Sequence, residues 1–125
     1  MEAHLPVLSS GAGWAFDEVT RRHGDYALVG VGCVLELEEG RAKGLRLAAC
    51  GIADRPIRLD AAESVLNGTL LAPSDLDAAV RATADAVTQS DDMNTSASFR
   101  RRVLGTLIRR LVHTASLRAR DRSRQ

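Results

Sequence analysis

Aromatic side chains are scarce in this 125-residue chain, which has only Trp14, Phe16, Tyr26 and Phe99. Its core must therefore be built from Ala, Val, Leu and Ile. A surface that stacks nucleic-acid bases would have almost nothing to stack with. Net charge is also close to absent, at +1, so no global field selects a polyanionic or polycationic partner. Neither nucleic acid nor a membrane is an expected partner. No apolar run is long enough to cross a bilayer, and the N-terminus has no basic region followed by an apolar one. The expected location is the cytoplasm. Cysteine is limited to Cys33 and Cys50, both in expected strands, where a thiol acts as a small buried hydrophobe. A disulfide is not expected in a reducing compartment. A metal site is not expected either, because there is no C-x-x-C and His4, His23 and His113 are scattered.

A chain of this length makes one domain, and its hydrophobic pattern divides into strands first and helices last. Residues 1–13, MEAHLPVLSSGAG, have no period and form an extended leading segment. A short strand follows at Phe16–Thr20. The strongest strand is Tyr26–Leu37, where every odd position from Ala27 to Leu37 is apolar. Gly30 and Gly32 fall on its other face, which predicts a bulge or a close neighbour there. The segment EEGR at Glu38–Arg41 is a turn, and Gly44–Gly51 returns as the second arm of a hairpin with Leu45, Leu47 and Ala49 on one face. Pro56 suits a strand start or a sheet edge.

After Leu59 the period becomes helical. Asp60 and Glu63 have the spacing of a capping box, and Asn67-Gly68 ends that helix. Pro73 and Ser74 open a second helix with Leu76, Val80, Ala84 and Val87 on one face. Ser96 caps a long last helix, in which Phe99, Val103, Leu107, Leu111 and Ala115 form one stripe. Arg101, Arg102, Arg109 and His113 lie opposite. Residues 118–125 are expected to fray as a charged tail. The predicted fold class is α+β: a two-layer sandwich in which an antiparallel sheet of three to four strands is covered on one face by about three helices.

Motifs for chemistry are thin. The glycines of GVGCVLE sit inside a strand, not at a strand-to-helix turn, so they are not a dinucleotide fingerprint. SSGAG is followed by no Gly-Lys-Ser/Thr and is not a phosphate loop. One cluster of ionisable groups converges in a short segment: Arg21, Arg22, His23 and Asp25. It is either a solvated turn, with Asp25 accepting backbone N–H bonds, or a site in which His23 and Asp25 are candidate acid–base groups. The last 26 residues hold nine Arg against one acid, Asp121. They form a solvated helix face or an anion or partner patch.

Three segments in order carry a family resemblance: WAFDEVTRRHGDYALVGVG, GIADRPIRLDAAESVLNG and TSASFRRRVLGTLIRRLV. Together they resemble the C-terminal domain of the FAD-binding medium subunit of molybdenum hydroxylases, a family that includes carbon monoxide dehydrogenase and xanthine dehydrogenase. On that resemblance residues 14–117 are the domain. It implies a sheet packed on three helices, and a role in a flavin subunit that takes electrons from iron–sulfur clusters and passes them to an acceptor. It also implies that a preceding N-terminal domain, expected to be missing here, makes nearly all FAD contacts. Arg21 and Arg22 map onto the segment facing the flavin and the neighbouring domain. No cofactor is then expected on this chain alone, and FAD would come through a partner chain.

The expected function is therefore an accessory or docking module, with a FAD-binding domain or molybdenum and iron–sulfur subunits as partners. Such a module should expose an apolar patch where the other domain packs, with Trp14, Tyr26 and the strand glycines as candidates. Two alternatives stand beside it: a small cofactor-free isomerase or cyclase built on this fold, and a homodimeric scaffold with the last helix as interface.

Overall fold

A computed structural model describes residues 11–20, 29–88 and 96–123 of the chain. It contains four strands, β1 (Gly13–Val19), β2 (Val29–Glu38), β3 (Arg41–Cys50) and β4 (Ile57–Arg58). Three helices follow, α1 (Asp60–Leu66), α2 (Pro73–Ala82) and α3 (Ala97–Ser123). The strands pair in chain order β1-β2-β3-β4, every pair antiparallel. This is the expected α+β architecture, with a four-stranded sheet and helices after it.

Local chemistry sets the register. The β2–β3 hairpin closes through Glu39 and Gly40, both at positive φ (55° and 79°). This is the pattern of a two-residue turn whose twist matches the strands. The bulge expected near Gly30 and Gly32 lies instead in β3. The register slips between Val34 and Glu36, opposite Gly44 with φ 61°, the left-handed position a bulge gives to glycine. β3 therefore begins at Arg41, earlier than Gly44, and Ala42 and Leu45 are both buried although three residues apart.

One face of the sheet carries the core. Val29, Val31, Cys33 and Leu35 of β2 and Leu45, Leu47 and Ala49 of β3 are buried with Leu104, Leu107, Ile108, Leu111 and Val112 of α3. Burying each such Val, Leu or Ile side chain contributes about 1.5–3 kcal/mol. α3 crosses β1 and β2, and α1 lies against β3. The crossing is close. A Cβ at Gly13 would overlap the Ala115 carbonyl oxygen and sit 2.6 Å from the Ala119 nitrogen.

The spacing of Asp60 and Glu63 does not make a capping box. Leu59 occupies the N-cap, and α1 starts with no side-chain cap. The Glu63 carboxylate turns inward and accepts from the Leu47 N–H at 3.0 Å and from Arg58 Nε and Nη2 at 3.1 and 2.6 Å. Asn67 accepts from the Leu45 N–H at 2.8 Å and donates to the Leu45 carbonyl at 3.2 Å. Two side chains of the α1 region thus satisfy the outer edge of β3 where the two-residue β4 does not reach. α2 also stops earlier than expected, at Ala82, where the Thr83 hydroxyl donates to the Val80 carbonyl at 2.7 Å. Ala84 then falls in a 3₁₀ turn and is exposed.

Residues from Arg118 on do not fray through Ser123. α3 continues to Ser123, because its arginines reach back to β1. Arg118 Nη1 donates to the Trp14 carbonyl at 2.7 Å and Arg122 Nη1 to the Ala12 carbonyl at 2.8 Å. Cations in a last turn also suit the helix dipole. At the other end of α3, Ser96 Oγ accepts from the Phe99 N–H at 3.0 Å, the expected cap.

Candidate functional site: the uncovered face of the sheet

Strand alternation puts a second set of side chains on the face away from the helices. The register arranges them in rows. Trp14, Val34 and Arg46 form one, and Phe16, Gly32, Ala48 and Arg58 the next. Glu18, Gly30 and Cys50 form the third. The middle of each of the last two rows is small, so the face is a trough. Its walls are aromatic on β1 and cationic on β3 and β4. A volume of about 440 Å³ is bounded by Trp14, Gly32, Val34, Arg46, Ala48 and Arg58.

The two aromatics are held in place yet stay open to solvent. Trp14 is 50% exposed and Phe16 58% exposed. The Arg118 guanidinium stacks 4.8 Å from the Trp14 ring centroid, within cation–π range. Phe16 leans over the glycines. Its ring atoms lie 3.7 and 3.8 Å from where the Cβ atoms of Gly30 and Gly32 would be. The close neighbour expected at those glycines is thus Phe16, joined by the Cys50 thiol 2.9 Å from the same point at Gly30.

Around the trough the charge belongs to the guanidinium groups of Arg46 and Arg58, with the Glu18 carboxylate in the third row. The hydrogen-bonded Glu63 carboxylate raises Arg58 above its ordinary range and keeps it protonated. Directly behind the trough, the Cys33 thiol is pushed up to about 12, first by burial and then by the Glu63 charge. It is a neutral core group, not a nucleophile. No cluster of three His, Cys, Asp or Glu side chains able to hold a metal ion occurs among the described residues.

Arg21, Arg22, His23, Asp25 and Tyr26 lie outside the described residues. Their segment joins Val19 to Val29, which are paired. Of the residues expected in the exposed patch, Trp14 is exposed, whereas Gly30 is buried beneath Phe16 and Cys50 and Gly32 is half-buried. Phe16, Arg46 and Arg58 were not singled out from sequence, although alternation from Leu45, Leu47 and Ala49 already places Arg46 and Ala48 on the opposite face. Arg101, Arg102, Arg109 and His113 are exposed on α3 as expected.

Comparison with known proteins matches residues 14–115 to the family described as CO dehydrogenase flavoprotein C-terminal domain. The chain belongs to this family. It is 35% identical over 121 residues to the 6-hydroxypseudooxynicotine dehydrogenase complex subunit alpha of Paenarthrobacter nicotinovorans, covering 96% of this chain and 41% of that protein. It is 33% identical to the carbon monoxide dehydrogenase medium chain of Afipia carboxidovorans, covering 94% and 41%. In structure it is similar to carbon monoxide dehydrogenase from Hydrogenophaga pseudoflava, with a TM-score of 0.86 and 26% identity over 91% of this chain and 40% of that one. The domain thus resembles the C-terminal part of molybdenum hydroxylase flavin subunits, and it spans about two fifths of the length of these relatives.

Proposed function

We propose that the chain is a docking module whose uncovered sheet face packs against a flavin-binding domain, in the same polypeptide or in a separate one. The observation that carries this is the face itself. Two half-exposed aromatics and a rim of arginines are residue types that interfaces favour, and the floor of glycine and alanine between them leaves room for a partner's side chains. An apolar patch of this kind is kept on a surface for a partner. The relatives that share the fold are flavin-subunit chains more than twice as long, which supplies a partner of the right kind.

The described helix starts offer FAD no phosphate cradle. A helix N-terminus with free N–H groups is a ready-made pyrophosphate site. α1 and α2 instead carry Asp60, Glu63 and Asp75 in their first turns. Asp75 accepts from the Ala72 N–H at 2.9 Å, and Ser96 occupies the start of α3. The flavin is therefore held by the partner domain, and this chain's residues contribute the surface that closes over it. By the same relationship, the assembled partners are iron–sulfur and molybdenum subunits.

A cofactor-free isomerase or cyclase needs an enclosed cavity with an acid–base pair. The trough is open, and its charged wall residues are arginines, which supports docking first. Gel filtration of the protein after mixing with FAD tests the assignment. The expected result is protein free of flavin absorbance. Stoichiometric FAD carried by this chain alone would overturn it.

A further inference from the structure

Docking through the uncovered face takes its charged side chains out of water, and a charge moved there without a partner is strongly penalised. The arginines around the trough differ in this respect. Arg58 brings its own counter-charge, with Nε and Nη2 donating to the two oxygens of Glu63 at 3.1 and 2.6 Å. Arg118 is held by the Trp14 ring and donates to the Trp14 carbonyl. Arg46 stands apart. It is exposed and lines the trough. Among the described residues no hydrogen bond, ion pair or ring contact engages it.

The fold leaves Arg46 in that condition. β4 pairs only with Ala48 and Ala49, so β3 is the outermost strand beside Arg46. The polar side chains that reach this edge from the α1 region are engaged by the backbone. Glu63 accepts from the Leu47 N–H and Asn67 from the Leu45 N–H. Farther along the face, Lys43 pairs with Glu38 at 3.0 Å and is registered opposite Glu36.

This inventory selects the chemistry of what seats here. One open guanidinium matches one carboxylate, held by two parallel N–H···O bonds. A polyanion fits worse, because Arg58 already has two of its nitrogens on Glu63. Glu18 in the third row adds a like charge. In the row next to Arg46, Gly32 and Ala48 form an apolar floor between Phe16 and Arg58. Residues two apart on one strand are separated by about 7 Å, which sets the distance from the counter-charge to its apolar neighbour.

We propose that the docking partner presents an acidic side chain to Arg46 and, about 7 Å away, an apolar side chain to the floor of Gly32 and Ala48. The proposal rests on docking through this face and specifies the surface that docks.

The test is a calorimetric titration of this protein with the FAD-loaded N-terminal part of a related medium subunit. Arg46→Met keeps the aliphatic stem and removes the charge. It should weaken binding at least about tenfold, the loss of one hydrogen-bonded charge, with an unchanged urea midpoint. Arg46→Lys keeps the charge without the fork and should fall between the two. Ala48→Leu, which fills the floor, should also weaken binding. Arg46→Met binding as tightly as wild type, while Phe16→Asp abolishes binding, would overturn this inference and leave docking through the face intact. No complex with wild type would overturn both. The phosphorus resonances of the bound FAD should coincide in the wild-type and Arg46→Met complexes. A shift between them would assign the anion at Arg46 to the FAD pyrophosphate and overturn the carboxylate.

Discussion

The two faces of this sheet are made by the same strands and share one backbone, yet they are chemically unlike. On the covered face, Val31, Cys33, Leu35, Leu45 and Leu47 are buried under α1 and α3. On the uncovered face, the intervening positions are Gly32, Val34, Arg46 and Ala48, flanked by exposed Trp14 and Phe16. The covered face is bulky in the middle and filled by its own chain. The uncovered face is small in the middle and bulky on one side, a shape that another surface must fill. Stability should therefore belong to the first face and association to the second. Substitutions can separate the two.

The largest effect is expected at the centre of the covered face. Leu47→Ala removes a fully buried side chain and should lower unfolding free energy by about 3–5 kcal/mol, read from the urea midpoint. Gly13→Ala comes next. The added methyl has no room beside Ala115 and Ala119 of α3, and a loss of about 3 kcal/mol is expected in the same assay. On the uncovered face, Phe16→Ser should move the midpoint by no more than about 0.5 kcal/mol. A loss as large as that of Leu47→Ala would show that the exposed aromatic is structural after all.

A separate, pH-dependent effect concerns the cysteines. In native protein a thiol reagent should modify the half-buried Cys50 and spare the buried Cys33, which should react only in urea. Folding raises Cys33 from its ordinary 9.0 to about 12. The neutral thiol is thus the form the fold favours. That contribution is fully present below pH 9 and is lost as pH rises toward about 12. A Cys33→Val variant should lack this alkaline decline when urea midpoints are compared between pH 8 and pH 11, values that bracket about one ordinary thiol titration.

Much of this contrast is legible in the sequence. The unbroken odd-position pattern from Val29 to Leu37 identifies a half-buried strand, and the helical stripe through Leu107 and Leu111 identifies its cover. Other features depend on contacts distant in the chain. The spacing of Asp60 and Glu63 fits a helix cap as well as it fits the observed pairing, and only the approach of Leu47 and Arg58 decides between them. The bulge at Gly44 changes which residues of β3 face inward, so Ala42 and Leu45 share a side that strict alternation would separate. The charges at the end of α3 suggest a frayed tail in solvent, whereas Arg118 and Arg122 reach carbonyls more than a hundred residues earlier. In the site, Trp14 and the strand glycines were visible as candidates. Phe16, Arg46 and Arg58 join them only once the register is known.

The central claim is that the uncovered face is the docking surface for a flavin-binding domain. Its most direct test is light scattering coupled to gel filtration on a mixture of this protein with the FAD-loaded N-terminal part of a related medium subunit. Wild type should elute as a one-to-one complex with flavin absorbance, and Phe16→Asp, equally folded by circular dichroism, should elute separately. Identical association of the two proteins would contradict the claim.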